Sequence, residues 1–197
     1  MKKIKLFSWI FFGLLCAAQL GMILFQILSY ERTLKEGEVF YLNVLPLDPY
    51  DPFRGRYVML RFDENATKAP LAKGESMAHH AKAYAVFEHD AQKDRIQEIR
   101  FIKPLSGNFL EVSVNALKQK GRAIYKNTKM DPADTVYFSL PFDRFYMREE
   151  LAPKAEKVLR QRSGITVRAK LRILEGKGVI EDLMVTDTPL GQYVQTP

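Results

Sequence analysis

The sequence predicts a mainly β protein behind a single N-terminal transmembrane helix, its β part a sandwich or partly closed barrel with one short helix. Three observations predict it. From Leu6 through Tyr30, "LFSWIFFGLLCAAQLGMILFQILSY" carries no charged side chain. From residue 39 onward, short runs alternate apolar and polar residues between turn-forming Asp, Asn, Gly and Lys, the texture of strands joined by turns. Only 148–164, "REELAPKAEKVLRQRSG", departs from it, with acids early, bases late and Gly164 as a stop, which predicts a polar helix.

The apolar run is long enough to span. A helix rising about 1.5 Å per residue crosses a ~30 Å hydrocarbon core in ~20 residues. An all-round apolar helix in a soluble protein needs a larger body around it than the charged remainder of this 197-residue chain supplies. A secretory signal has an apolar region of about 7–15 residues and then a small-residue cleavage site. Here the apolar chain continues well past "CAAQLG", and Leu15 before Cys16 does not suit lipid attachment. The run is therefore expected to be an uncleaved anchor. Lys2, Lys3 and Lys5 precede it, whereas Glu31, Arg32, Lys35, Glu36 and Glu38 after it are mixed in sign. The positive-inside bias then keeps residues 1–5 in the cytoplasm, with 6–30 transmembrane, 31–38 a juxtamembrane helix end and 39–197 an extracytoplasmic β-rich domain.

Cys16, the only cysteine, lies inside the run. The exported part is thus expected to have no thiol, disulfide or Cys-based metal site and to rely on an ordinary hydrophobic core. Taking the three leading Lys from the 30 basic residues leaves 27 against 23 acidic ones, a formal +4 beyond the membrane. That mild basicity suits anionic headgroups and makes no nucleic-acid footprint.

The helix is expected to continue through "ERTLKEG" and to end at Gly37. Strands are then expected at 39–47, interrupted by Pro46, and at 57–62, with Val58, Leu60 and Phe62 on one face and Tyr57, Met59 and Arg61 on the other. The runs 81–90, 95–104, 108–117, "GRAIYK", "DTVYFSLPF", "ITVRAKLRIL" and "VIEDLMVTD" complete the set. A weak internal echo links Lys82–Pro104 with Arg168–Pro189, and "VFYLNVLPLD" with "TVYFSLPFD", as two related β-units would.

Between the first two strands lies "LDPYDPFRG". Pro49 and Pro52 stiffen the backbone, Asp48 and Asp51 can cap turns, and Gly55 adds backbone freedom just before a strand. The anchor followed by "EGEVFYLNVLPLDPYDPFRGRYVMLRF" resembles the GDYXXLXY-motif protein family, defined by Gly-Asp-Tyr-x-x-Leu-x-Tyr. Gly55, Tyr57 and Leu60 match; Arg56 stands where the family has Asp, and Phe62 where it has Tyr. Asp48, Pro49, Asp51, Pro52, Phe53 and Gly55 resemble the family's approach to the motif, and "LPFDRFYMREELAPKAEKVL" its second landmark. The resemblance covers most of the chain. It implies a bacterial envelope protein in the cytoplasmic membrane, working with a multi-pass membrane partner in an unknown process, and it brings no catalytic residues. An Arg at 56 cannot serve as acid, base or metal ligand, and Phe62 has no hydroxyl, so the motif is expected to be structural or to serve recognition.

Other constellations are weaker. A signal-peptidase-like Ser–Lys site would need a serine near the membrane; Ser29 lies in the apolar end of the run, and Ser76 in a polar loop. His79, His80 and His89 are the weak metal candidates, but adjacent His79 and His80 cannot both point one way on a strand. Asp48, Asp51, Asp63 and Glu64 lack calcium-loop spacing and interleave with Arg54, Arg56 and Arg61. No catalytic residue, metal or cofactor is expected, and membrane lipids rather than nucleic acid are the surroundings. Gly13, Ala17, Ala18 and Gly21 recur near i, i+4 and i+8, which permits close helix approach. The expected function is a non-catalytic accessory subunit. The alternatives are a module binding a small ligand among Tyr41, Tyr57, Phe62 and Tyr84, or an anchored hydrolase.

Overall fold

The computed structural model describes residues 2–47, 57–75, 82–90, 94–119, 122–123, 135–148, 150–151, 153–155 and 166–195. Helix α1 (Lys2–Glu36) comes first. Within Trp9–Glu36 an 18-residue stretch has a mean hydropathy of 2.1 with none of that stretch buried, so by length and composition the helix can cross a membrane. Its apolar side chains are distributed all round, leaving no polar face from Trp9 to Leu28.

Twelve strands follow among the described residues: β1 (Glu38–Leu47), β2 (Tyr57–Phe62), β3 (Lys68–Pro70), β4 (Lys82–His89), β5 (Asp94–Arg100), β6 (Phe109–Gln119), β7 (Arg122–Ala123), β8 (Thr135–Ser139), β9 (Arg144–Tyr146), β10 (Val167–Leu174), β11 (Lys177–Val185) and β12 (Thr188–Pro189). A helical turn, α2 (Leu190–Tyr193), ends the described chain. Of the expected helix in 148–164, residues 148, 150–151 and 153–155 are described; 153–155 are helical, with Ala155 N–H donating to Leu151 O at 2.9 Å, and 150–151 form a turn. The strands form two sheets, ordered β12-β11-β10-β1-β2-β9 and β3-β8-β6-β4-β5, with β7 added to β6. The second sheet curls back on itself. Leu71, just past β3, bridges Ile99 of β5, and Ala72 N–H donates to Ile99 O at 2.9 Å. A partly closed barrel is thus one half of the domain.

The two sheets repeat one plan. If β1 is matched to β6, β2 to β8, β3 to β9, β4 to β10 and β5 to β11, four pairings of one half have counterparts in the other, and only β11–β12 and β6–β7 among the described pairings fall outside the match. Thus β1–β2 answers β6–β8, β1–β10 answers β6–β4, β2–β9 answers β8–β3, and β4–β5 answers β10–β11. Both hairpins carry a register shift, between Val86 and Phe87 and between Lys170 and Leu171. Aligned on that shift, Ala85 lies opposite Leu110 and Ala169 opposite Leu42, a small residue facing a leucine in each half. The hairpin echo in the sequence therefore corresponds to structure. The second echo does not: β1 has β6 as its counterpart, and β8 answers β2.

Strand alternation builds one core across both sheets. Phe40, Leu42, Val44, Val58, Leu60 and Phe62 from β1 and β2 join Ala83, Ala85, Phe87, Val136 and Phe138 from the other sheet and Ala169, Leu171 and Ile173 from β10. The sheets are also tied by backbone. Gly176 N–H donates to Phe109 O and Glu111 N–H to Gly176 O, both at 3.0 Å. Gly176 has φ of +93° in the two-residue turn between β10 and β11, where glycine is the residue without a steric penalty.

Candidate functional site

The junction of α1 with the β-domain gathers the chemistry. Gly37 alone separates α1 from β1, and a Cβ there would stand 2.4 Å from Thr33 O and 3.1 Å from Ile173 N. Gly37 N–H closes the helix by donating to Thr33 O at 3.0 Å, and Gly37 O accepts from Arg172 Nη1 at 3.1 Å. Arg172 also pairs with Glu181 at 2.5 Å, which in turn takes Lys170 at 2.6 Å. Burial works to raise the Glu181 pKa, but the two cations outweigh it and leave the carboxyl below its ordinary value. Next along β11, burial holds the Asp182 carboxyl above its ordinary range.

A second network sits where β1 begins. The His89 ring lies between two carboxylates, Nδ1 2.7 Å from Asp94 and Nε2 2.9 Å from Glu38. Phe40 stacks on its face at 4.3 Å, Asn108 Nδ2 donates to Glu38 at 2.6 Å, and Tyr41 N–H donates to Asp94 at 2.6 Å. The Asp94 hydrogen bond raises the His89 pKa against the desolvation that burial brings, and Glu38 adds to the rise. Both ring nitrogens are engaged. His89 is therefore a clamp between carboxylates. His79 and His80 lie outside the described residues, among which no three His, Cys, Asp or Glu converge to hold a metal.

Along α1 itself, a cleft of about 560 Å³ separates the helix from the domain. Met22, Phe25, Gln26, Ser29 and Tyr30 form its helix wall; Leu110, Val112, Ser113, Lys82 and Lys177 face them. Lys177, at the start of β11, donates to the Ser29 hydroxyl, and its ammonium lies 5.8 Å from the centre of the Phe25 ring. Lys82 pairs with Glu111 at 2.6 Å. Gly178 lets β11 approach the wall, since a Cβ there would lie 2.8 Å from Leu110 Cδ1.

The motif residues divide. Tyr57, Leu60 and Phe62 are described; Asp48, Pro49, Asp51, Pro52, Phe53, Gly55 and Arg56 lie outside the described residues. Leu60 and Phe62 point into the core, and Phe62 packs against Phe142 at 5.8 Å. Phe in place of the family's Tyr is thus a core residue among apolar neighbours. Tyr57 faces outward at the sheet edge, opposite Tyr146 at 5.8 Å and under the Arg144 guanidinium at 5.1 Å. The four aromatics proposed for one pocket have separate surroundings: Tyr41 lies beneath Arg168 and Tyr84 against Phe109. Asp63 caps the 3₁₀ turn Glu64–Ala66 and lines a separate cleft of about 340 Å³ with Asn43, Asp90 and Asp94. Ser76 lies outside the described residues. Sequence reasoning named Ser29 but missed Lys177, 148 positions away; nothing local announces that contact.

No match is found among curated proteins or among solved structures. A family model described as GDYXXLXY protein matches residues 19–183, from the middle of α1 into β11. That stretch takes in the motif strand, the helix–domain cleft and both β-units, and the chain belongs to the GDYXXLXY protein family.

Proposed function

We propose that this protein is a single-pass bacterial envelope protein, with its N-terminus in the cytoplasm and its β-domain outside. It serves there as a non-catalytic accessory subunit of a multi-pass membrane protein. One observation carries the reading. The β-domain meets α1 along Met22–Tyr30, while the stretch before it stands clear with Gly13 and Gly21 open, since a Cβ on either meets nothing within 4 Å. Such a helix has room for another helix at close range. The multi-pass partner itself comes from the family resemblance.

The test is affinity purification of the full-length protein from gently solubilised membranes. A stoichiometric multi-pass protein is expected to co-purify and to be lost in Gly13→Leu/Gly21→Leu, which leaves the cleft residues in place. If no protein co-purifies under conditions that preserve known membrane complexes, the reading fails.

One observation favours a second reading, an anchored hydrolase: the contact between Lys177 and Ser29. In such an enzyme Ser29 Oγ attacks an ester carbonyl as its proton passes to Lys177, the alcohol leaves carrying that proton as the acyl-serine forms, and water then releases the acid and restores the serine hydroxyl. A lysine base works best buried, and Lys177 is exposed. Turnover of an activated ester by the full-length protein, lost in Ser29→Ala and in Lys177→Gln, would establish it.

A further inference from the structure

We infer that the cleft between α1 and the β-domain seats one anionic glycerophospholipid, its phosphate against Lys177 and an acyl chain along Met22 and Phe25. This rests on the reading of α1 as a membrane anchor. With Lys5 marking the cytoplasmic boundary, the 20 residues from Leu6 to Phe25 rise about 30 Å, the thickness of a hydrocarbon core. Phe25 then lies at the outer edge of the hydrocarbon. Ser29, four residues on, lies about 6 Å further out, at headgroup depth.

The helix wall of the cleft changes along the same direction, from apolar Met22 and Phe25 to the Ser29 hydroxyl that Lys177 meets, and Lys82 and Ser113 add an ammonium and a hydroxyl to its lining. The two cations differ in a way that selects a ligand charge. Lys82 is neutralised by Glu111 at 2.6 Å. Lys177 is held by a hydroxyl and an aromatic face, neither of which carries charge, and both fix the ammonium in the cleft. A phosphodiester matches that site: one negative charge, free oxygens to accept from Lys177 and Ser29, and apolar chains joined to it at the required depth. A zwitterionic lipid brings a second, positive group into a cleft that already has two ammonium groups.

The probe is phosphatidylglycerol, offered with phosphatidylcholine in mixed micelles to the full-length protein, with retained lipid counted by native mass spectrometry. One phosphatidylglycerol per chain is expected, preferred over phosphatidylcholine. Lys177→Gln is expected to lower its retention about fivefold. Lys73→Gln, an exposed lysine outside the cleft, is expected to leave retention unchanged. Millimolar inorganic phosphate is expected not to displace the lipid; displacement would assign the site to free phosphate and overturn the proposal. Equal retention of the two lipids, or a Lys177→Gln variant that retains as much as the parent, also overturns it. Alkaline extraction separates the two failures. A protein washed off membranes sinks the anchor and the lipid seat together, whereas one that stays integral without lipid preference sinks the seat alone.

Discussion

At Gly37 the chain leaves a helix and enters a strand with no residue to spare. A methyl group there collides with Thr33 O, a backbone atom that cannot swing aside. Gly37→Ala is expected to destabilise the domain by about 1–3 kcal/mol, measured by chemical denaturation, because the helix end or β10 must shift. His89 acts through charge. Its pKa is raised in the folded protein, so protonated His89 contributes stability below its unfolded value, and that contribution is lost as pH rises through the folded one. The stability gap between the parent and His89→Gln should therefore be widest near about pH 5 and shrink toward about pH 8.5. A gap that stays constant across that range would falsify the clamp.

Among the elements, β2 was legible because its alternation is clean and its pattern of burial follows it residue by residue. Helix α1, its stop at Gly37 and both hairpins were legible for similar reasons. Strands β3, β9 and β12 were not, since segments of two or three residues have no period to read. The run 95–104 shows another limit. Its strand ends at Arg100 because Glu75 accepts from the N–H groups of both Phe101 and Ile102, which takes those donors from a ladder. No pattern local to that run announces a carboxylate from another loop. The equivalence of the hairpins makes its own prediction. Ala85 and Ala169 are both fully buried against leucines. Ala85→Leu and Ala169→Leu should each cost about 1–3 kcal/mol in denaturant unfolding, by overpacking. If one position accepts leucine freely, the two units are not packed alike.

The whole molecule is interlocked. Strand β3 follows β2 in the chain but pairs with β8, β9 follows β8 but pairs with β2, and the hairpins β4–β5 and β10–β11 join β6 and β1, so both sheets draw strands from both halves of the chain. Neither 38–105 nor 106–197 should fold alone, because each holds only part of either sheet and of the common core. Separate expression with circular dichroism tests this: a folded isolated half would rule out the interlock. The complete domain should unfold in one transition.

The junction at Gly37, with its carbonyl gripped by Arg172, has a mechanical consequence. Gly37 alone joins the rod of α1 to the body it carries, so a lean of the rod becomes a swing of the body. A folded unit of this length is about 40 Å across. Leaning the rod by about 20°, an ordinary transmembrane tilt, sweeps its far edge through about 14 Å. In the proposed membrane setting, a neighbour that changed that lean inside the bilayer would move a surface well outside it, as a lever does.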